Sequence, residues 1–176
     1  AVHLAPARNE TGAAARPAAG GPRPRAPLSE RAQRLWELGE MTPTGRSFYA
    51  PGLPGDRELL HLDQLITPVS LDGEQALIIS AHGGPRGISV GDEIFEPEEL
   101  AEVVAADRRY RGQPVFLNSC NVFDNHISGD VFHPLAQALA DALQALTQRD
   151  PALRGTSALV IGGSADDMGR HDGSPY

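Results

Sequence analysis

A chain of 176 residues with 40% apolar content is long enough for one domain with a packed core. Its formal net charge of -8 excludes the basic footprint of a nucleic-acid-binding surface, and it holds no run of about eighteen apolar residues that would span a membrane. A single cysteine excludes an internal disulfide and leaves the redox compartment open. All fifteen basic residues are arginine. A GC-rich genome accounts for that bias, and so does delivery into a eukaryotic cell, where a chain without lysine escapes ubiquitin attachment. The chain opens at Ala1 without an apolar targeting segment and reads as a processed chain or a piece of something longer.

Residues 1–27, rich in Ala, Pro, Gly and Arg ("ARPAAGGPRPRAP"), lack apolar periodicity and read as a flexible leader or linker. Residues 28–176 read as one domain with its core at 76–163. Ser29 before "ERAQRLWELGE" predicts an N-capped helix ending near Gly39. "MTPTGRSFYAPGLPGD" reads as a turn-rich connection, and "RELLHLDQLITPVSL" fits a short helix or an irregular strand equally well. "ALIISA" has the continuous apolar character of a strand buried on both faces. "GISVGDEIF" predicts a hairpin turning at Gly91-Asp92. "EPEELAEVVAADRRY" predicts an amphipathic helix with Pro97 in its first turn, acids at its start and arginines at its end, stopped by Gly112. A second buried strand, "PVFLNS", precedes a helix with Leu135, Leu139, Leu143 and Leu146 on one stripe. A third strand, "SALVIGG", ends on Gly162-Gly163. Strands alternating with helices imply an α/β fold: a mainly parallel central sheet flanked by helices, with its site beyond the carboxyl ends of the strands.

Two of those ends carry chemistry. One apolar run stops on His82 followed by Gly83-Gly84, and the other stops on Cys120. A thiolate is a strong nucleophile, and a nearby imidazole takes its proton or stabilises it. Backbone amides then stabilise the oxygen of the tetrahedral intermediate. His82 as base, Cys120 as nucleophile, and the amides of Gly83 and Cys120 as oxyanion donors therefore make an acyl-transfer site.

An apolar strand ending in His-Gly, then a second ending in a small residue and Cys, resembles the caspase-like cysteine peptidases of clan CD, which include caspases, gingipains, separases and CHAT domains. "SAHGGPRGISVGDEIFEPEELAEVV", "GQPVFLNSCNV" and "PLAQALADAL" look most like the caspase-like or CHAT-like domains near the C-termini of bacterial polymorphic toxins and secreted effectors. The resemblance covers roughly Leu77 to Gly163. It implies a caspase-like sandwich and a cysteine endopeptidase that uses His82 and Cys120. It also implies a polypeptide substrate, the parent chain included, with the arginine-bearing stretch Arg16–Arg25 as a cleavable linker. It further implies no cofactor, and a bacterial protein secreted or delivered into a target cell, with a cytoplasmic location as the alternative. Asp166 and Asp167, after the third strand, are candidates for a pocket that accepts a basic side chain; solvated loop acids are the competing reading. The loop "CNVFDNHISGDVFHP" is longer than the Asn-Thr-Gly turn of the toxin-borne relatives.

That loop also gathers Asp124, His126, Asp130 and His133, but their spacing matches neither an EF-hand nor a zinc helix, and no metal site is expected. His126 or His133 would compete with His82 as the base. His3, His61 and His171 read as incidental. Two rival functions remain: a catalytically inert caspase-like interaction module, suggested by the short stretch after Gly163, and a Cys-His amidase or deamidase acting on a target protein. Oligomeric state is not readable from the sequence.

Overall fold

The computed structural model describes residues 23–71, 73–84, 86–119, 126–127, 130–131, 135–150, 153, 158–164 and 167–173. The first helix, α1 (Glu30–Leu38), starts as the sequence predicts: the Ser29 side chain accepts the Ala32 amide, and Gly39 caps the other end. The turn-rich connection then holds a hairpin, β1 (Glu40–Thr42) with β2 (Gly45–Ser47). The first part of the ambiguous segment is helical: α2 (Pro54–Asp63) starts within the stretch read as a turn-rich connection, with proline in its first turn. A two-strand ribbon, β3 (Ser70–Leu71) with β4 (Glu74–Gln75), leads into β5 (Leu77–Ser80).

His82 does not end β5. The buried strand stops at Ser80, and His82 opens β6 (His82–Gly84), which joins β7 (Gly87–Val90) and β8 (Glu93–Phe95) in a separate antiparallel sheet. The β7–β8 turn falls at Gly91-Asp92 as predicted, with Gly91 at φ +61°. Helix α3 (Pro97–Ala106) ends at Asp107, ahead of Arg108 and Arg109, which fall outside it. Then come β9 (Val115–Asn118), the short strands β10 (His126–Ile127) and β11 (Asp130–Val131), and α4 (Leu135–Arg149). The hairpin β12 (Leu159–Ser164) and β13 (Asp167–Asp172) closes the described chain. Gly162-Gly163 therefore lie inside a strand, where the sequence placed a strand end; Gly162 pairs Gly169 and Gly163 pairs Met168.

The main sheet runs β1-β2-β5-β9-β12-β13. Its three inner pairings are parallel and its two outer hairpins antiparallel. The fold is thus α/β around a mixed, mostly parallel sheet. Side-chain alternation divides its faces. Leu77, Ile79, Val115, Leu117 and Val160 join one apolar core with α1, α3 and α4, which contribute Leu35, Trp36, Leu100, Val104, Leu139 and Leu143. Truncating one such fully buried leucine typically costs about 2–5 kcal/mol. The opposite face carries Ile78, Ser80 and Ser47, all buried, and meets α2 through Asp63. No helix among the described residues is long and apolar enough to cross a membrane.

At the amino edge of the sheet, Arg46 of β2 is buried, lies 3.7 Å over the Trp36 ring and donates to Asp107 at 2.8 Å. Arg109 binds the same carboxylate and the carbonyls of Thr42 and Gly45. The preceding segment is laced to this edge. The Arg25 amide donates to the Ala106 carbonyl at 2.7 Å, and its guanidinium donates to the carbonyls of Asp107 and Tyr110. Arg108 donates to the Arg23 carbonyl at 3.0 Å, and Ser29 Oγ donates to Glu102 at 2.8 Å.

Candidate functional site

The carboxyl edge of β2, β5 and β9 is level. Ser47 pairs Ser80, and Ser80 pairs Asn118, so three polar residues form a row across adjacent strands. Asn118 Nδ2 donates to Ser80 Oγ at 3.3 Å. His82 comes two residues after Ser80, and Cys120 comes two residues after Asn118 in the sequence. The strands that run toward the two predicted residues, β5 and β9, are therefore parallel neighbours in register, about 4.8 Å apart. Cys120 itself lies outside the described residues, whose last member before it is the buried Ser119.

Helix α2 supplies what the sequence reading missed. Asp56, in its first turn, is buried and accepts His82 Nε2 on Oδ1 at 2.7 Å and the Ala50 amide on Oδ2 at 2.9 Å. Burial pushes the Asp56 carboxyl up, but the bonds from His82 and the Ala50 amide outweigh it and hold the pKa below the usual carboxylate value. An ionised carboxylate only accepts, so Nε2 of His82 carries the proton and donates. Nδ1, which bonds no described residue, is then the basic nitrogen of the neutral ring. Tyr49 meets the imidazole edge-on, with centroids 4.9 Å apart, while the His82 side chain stays 46% exposed. One nitrogen held and one presented in a half-exposed ring is the arrangement a general base needs.

The same buried face of α2 carries Leu60 and Asp63. Asp63 is set against the hydroxyl row; burial raises its pKa, and the hydroxyls of Ser47 and Ser80 stand close enough to oppose the rise. The spacing Asp56–Leu60–Asp63 is that of one helix face, and this was the available signal. It was obscured because carboxylates on a buried face look like a solvated face.

Gly83 sits on β6 opposite Ile88. A Cβ at Gly84 would meet nothing within 4 Å, so packing does not require glycine there. Of the pocket candidates, Asp167 opens β13 opposite Ser164, and Asp166 lies outside the described residues. Asp124 and His133 also lie outside them. His126 and Asp130 are placed only as strand positions, paired with Val131 and Ile127. His61 is exposed on α2.

Residues 54–152, more than half of the chain, match a family model described as a domain of unknown function, DUF8616, and the chain belongs to that family. The matched span opens with α2 and includes Asp56, Asp63, His82 and Cys120. No curated protein and no solved structure matches the chain.

Proposed function

We propose that the protein is a caspase-like cysteine endopeptidase in which His82, oriented by Asp56, serves Cys120. The Asp56–His82 pair carries this reading, because it sits beyond a strand in register with the one that leads to Cys120. In the proposed reaction Nδ1 of His82 takes the Cys120 thiol proton and the thiolate adds to the carbonyl carbon of a peptide bond. The amides of Gly83 and Cys120 receive the developing oxyanion. Collapse expels the amine, which leaves with the proton from the imidazolium. A water then hydrolyses the thioester, with His82 as its base, and frees the thiol. The substrate is a polypeptide, the parent chain included.

The test needs no substrate. The pH dependence of Cys120 alkylation is followed in the wild-type chain and in His82→Ala. A free thiol ionises near pH 8.5. The expected outcome is a thiolate that forms well below that value and shifts upward by a unit or more without His82, equivalent to about 1.4 kcal/mol of coupling or more. An ordinary thiol indifferent to His82 would sink the peptidase reading and favour a catalytically inert interaction module.

A further inference from the structure

Two carboxyls on one face of α2 meet opposite environments. Asp56 has a histidine and an amide N–H as donors, whereas Asp63 has only the hydroxyls of Ser47 and Ser80 beside it. Asp63 is 5% exposed, and its enclosed Oδ2 completes no hydrogen bond of ordinary geometry with any described residue. Ser47 Oγ, equally enclosed, is in the same position. A charged oxygen in such a place bears the full cost of desolvation. A single proton removes the difficulty. As the neutral acid, Asp63 has no charge to desolvate and presents a donor toward Ser47 Oγ, the neighbouring oxygen without a partner, beside Ser80, whose own oxygen takes the Asn118 amide.

We infer that Asp63 is a positioning residue for His82. As a neutral carboxylic acid set against the Ser47–Ser80 row it seats α2, which carries Asp56 to the histidine. The inference rests on the proposed function only for what His82 does once it is placed. The two residues lie two helical turns apart on one rigid element, so tilting the Asp63 end moves the Asp56 end.

The surroundings favour the neutral form. From β2 the facing group is Ser47, since Arg46 points to the opposite face and is bound by Asp107. From β5 it is Ser80, with Asn118 of β9 behind it. On α2 itself Asp56 is committed to His82, while Arg57, Glu58 and His61 are exposed. Burial dominates the Asp63 environment, and no described charge offsets it. Because its folded pKa lies above the unfolded value of about 3.9, wild-type stability is full below that value and declines as pH rises through the folded pKa.

The experiment compares the full chain with Asp63→Asn and Asp63→Ala. It uses two readouts: unfolding free energy between pH 4 and pH 8, and the proton resonance of His82 Nε2–H, the signature of its bond to Asp56. Asp63→Asn, an isostere of the neutral acid, should gain stability relative to wild type as pH rises. It should also keep the resonance at high pH, where the wild type loses it. Asp63→Ala should weaken the resonance at neutral pH and slow Cys120 alkylation by about tenfold or more, and Asn should restore both. A stability difference that stays flat with pH, or an Asn variant that behaves like Ala, overturns the inference. If Asp63→Ala does not fold, the Asn comparison decides alone. If the resonance follows Asp63 while alkylation ignores His82→Ala, the positioning role stands and the peptidase reading falls.

Discussion

At His82 one ring nitrogen is committed to Asp56, so the carboxylate can be tested separately from the ring. Asp56→Asn keeps an oxygen for the Ala50 amide but loses the charge that fixes the tautomer. Alkylation of Cys120 at neutral pH should fall by about tenfold or more. The variant should also be less stable by about 1–2 kcal/mol at pH 7, a modest figure because the histidine is half exposed. The folded pKa of Asp56 lies below its unfolded value. The carboxylate's contribution is therefore complete above about pH 4 and lost as pH falls through the folded pKa, and the two proteins should converge in acid denaturation profiles. Within the candidate site, His82 and Cys120 stood out in the sequence because each follows an apolar run. Asp56 and Asp63 were not, because what distinguishes them is the partner that tertiary folding brings: a histidine for one and a hydroxyl row for the other.

Among the elements, those with a local signature matched the expectation. Ser29 caps α1, Pro97 and the acids Glu98 and Glu99 stand in the first turn of α3, and Gly91 makes the tight turn. Those fixed by partners did not announce themselves. The β1–β2 hairpin hides in a proline- and glycine-rich stretch, and β13 exists as a strand through its pairing with β12. The small sheet that opens with His82 depends on one residue. Gly87 has φ +150°, and a Cβ there would stand 2.0 Å from the Phe95 carbonyl oxygen. Backbone conformation and contact both exclude a side chain. Gly87→Ala should lower the unfolding free energy by about 2–4 kcal/mol in urea titration. It should also disturb alkylation, since β7 pairs β6 along His82–Gly84. An alanine variant with an unchanged midpoint would mean that this sheet carries no stability.

Across the whole molecule the two edges of the sheet have different roles. The carboxyl edge holds Asp56, His82 and the polar row; the amino edge holds a buried cation. Burial drives the Arg46 pKa down and outweighs the attraction of Asp107, whereas in Asp107 burial is outweighed by Arg109 and Arg46 and the pKa falls. Desolvating an ion pair commonly cancels its attraction. The pair specifies how β2 meets α1 and α3 more than it stabilises them. The order of the central elements β5, α3, β9, α4 and β12 was readable from hydrophobic period, but this network was not, since a lone Arg46 in a turn-rich stretch gives no sign of being buried.

The lacing of Arg23–Ser29 to α3 and the amino edge bears on how the chain could process itself. His82 lies beyond the opposite edge, and β5 alone, from Leu77 to Ser80, spans about 10 Å of the sheet. The bonds after Arg23 and Arg25 are thus held away from the histidine of their own molecule. If they are cut, the cut is made by a neighbour. Processing at these bonds should follow second-order kinetics: diluting the protein tenfold should lengthen the half-time about tenfold, and inactive Cys120→Ala chains should be cut when mixed with wild type. A half-time independent of concentration would mean that the segment detaches and crosses the sheet before the reaction.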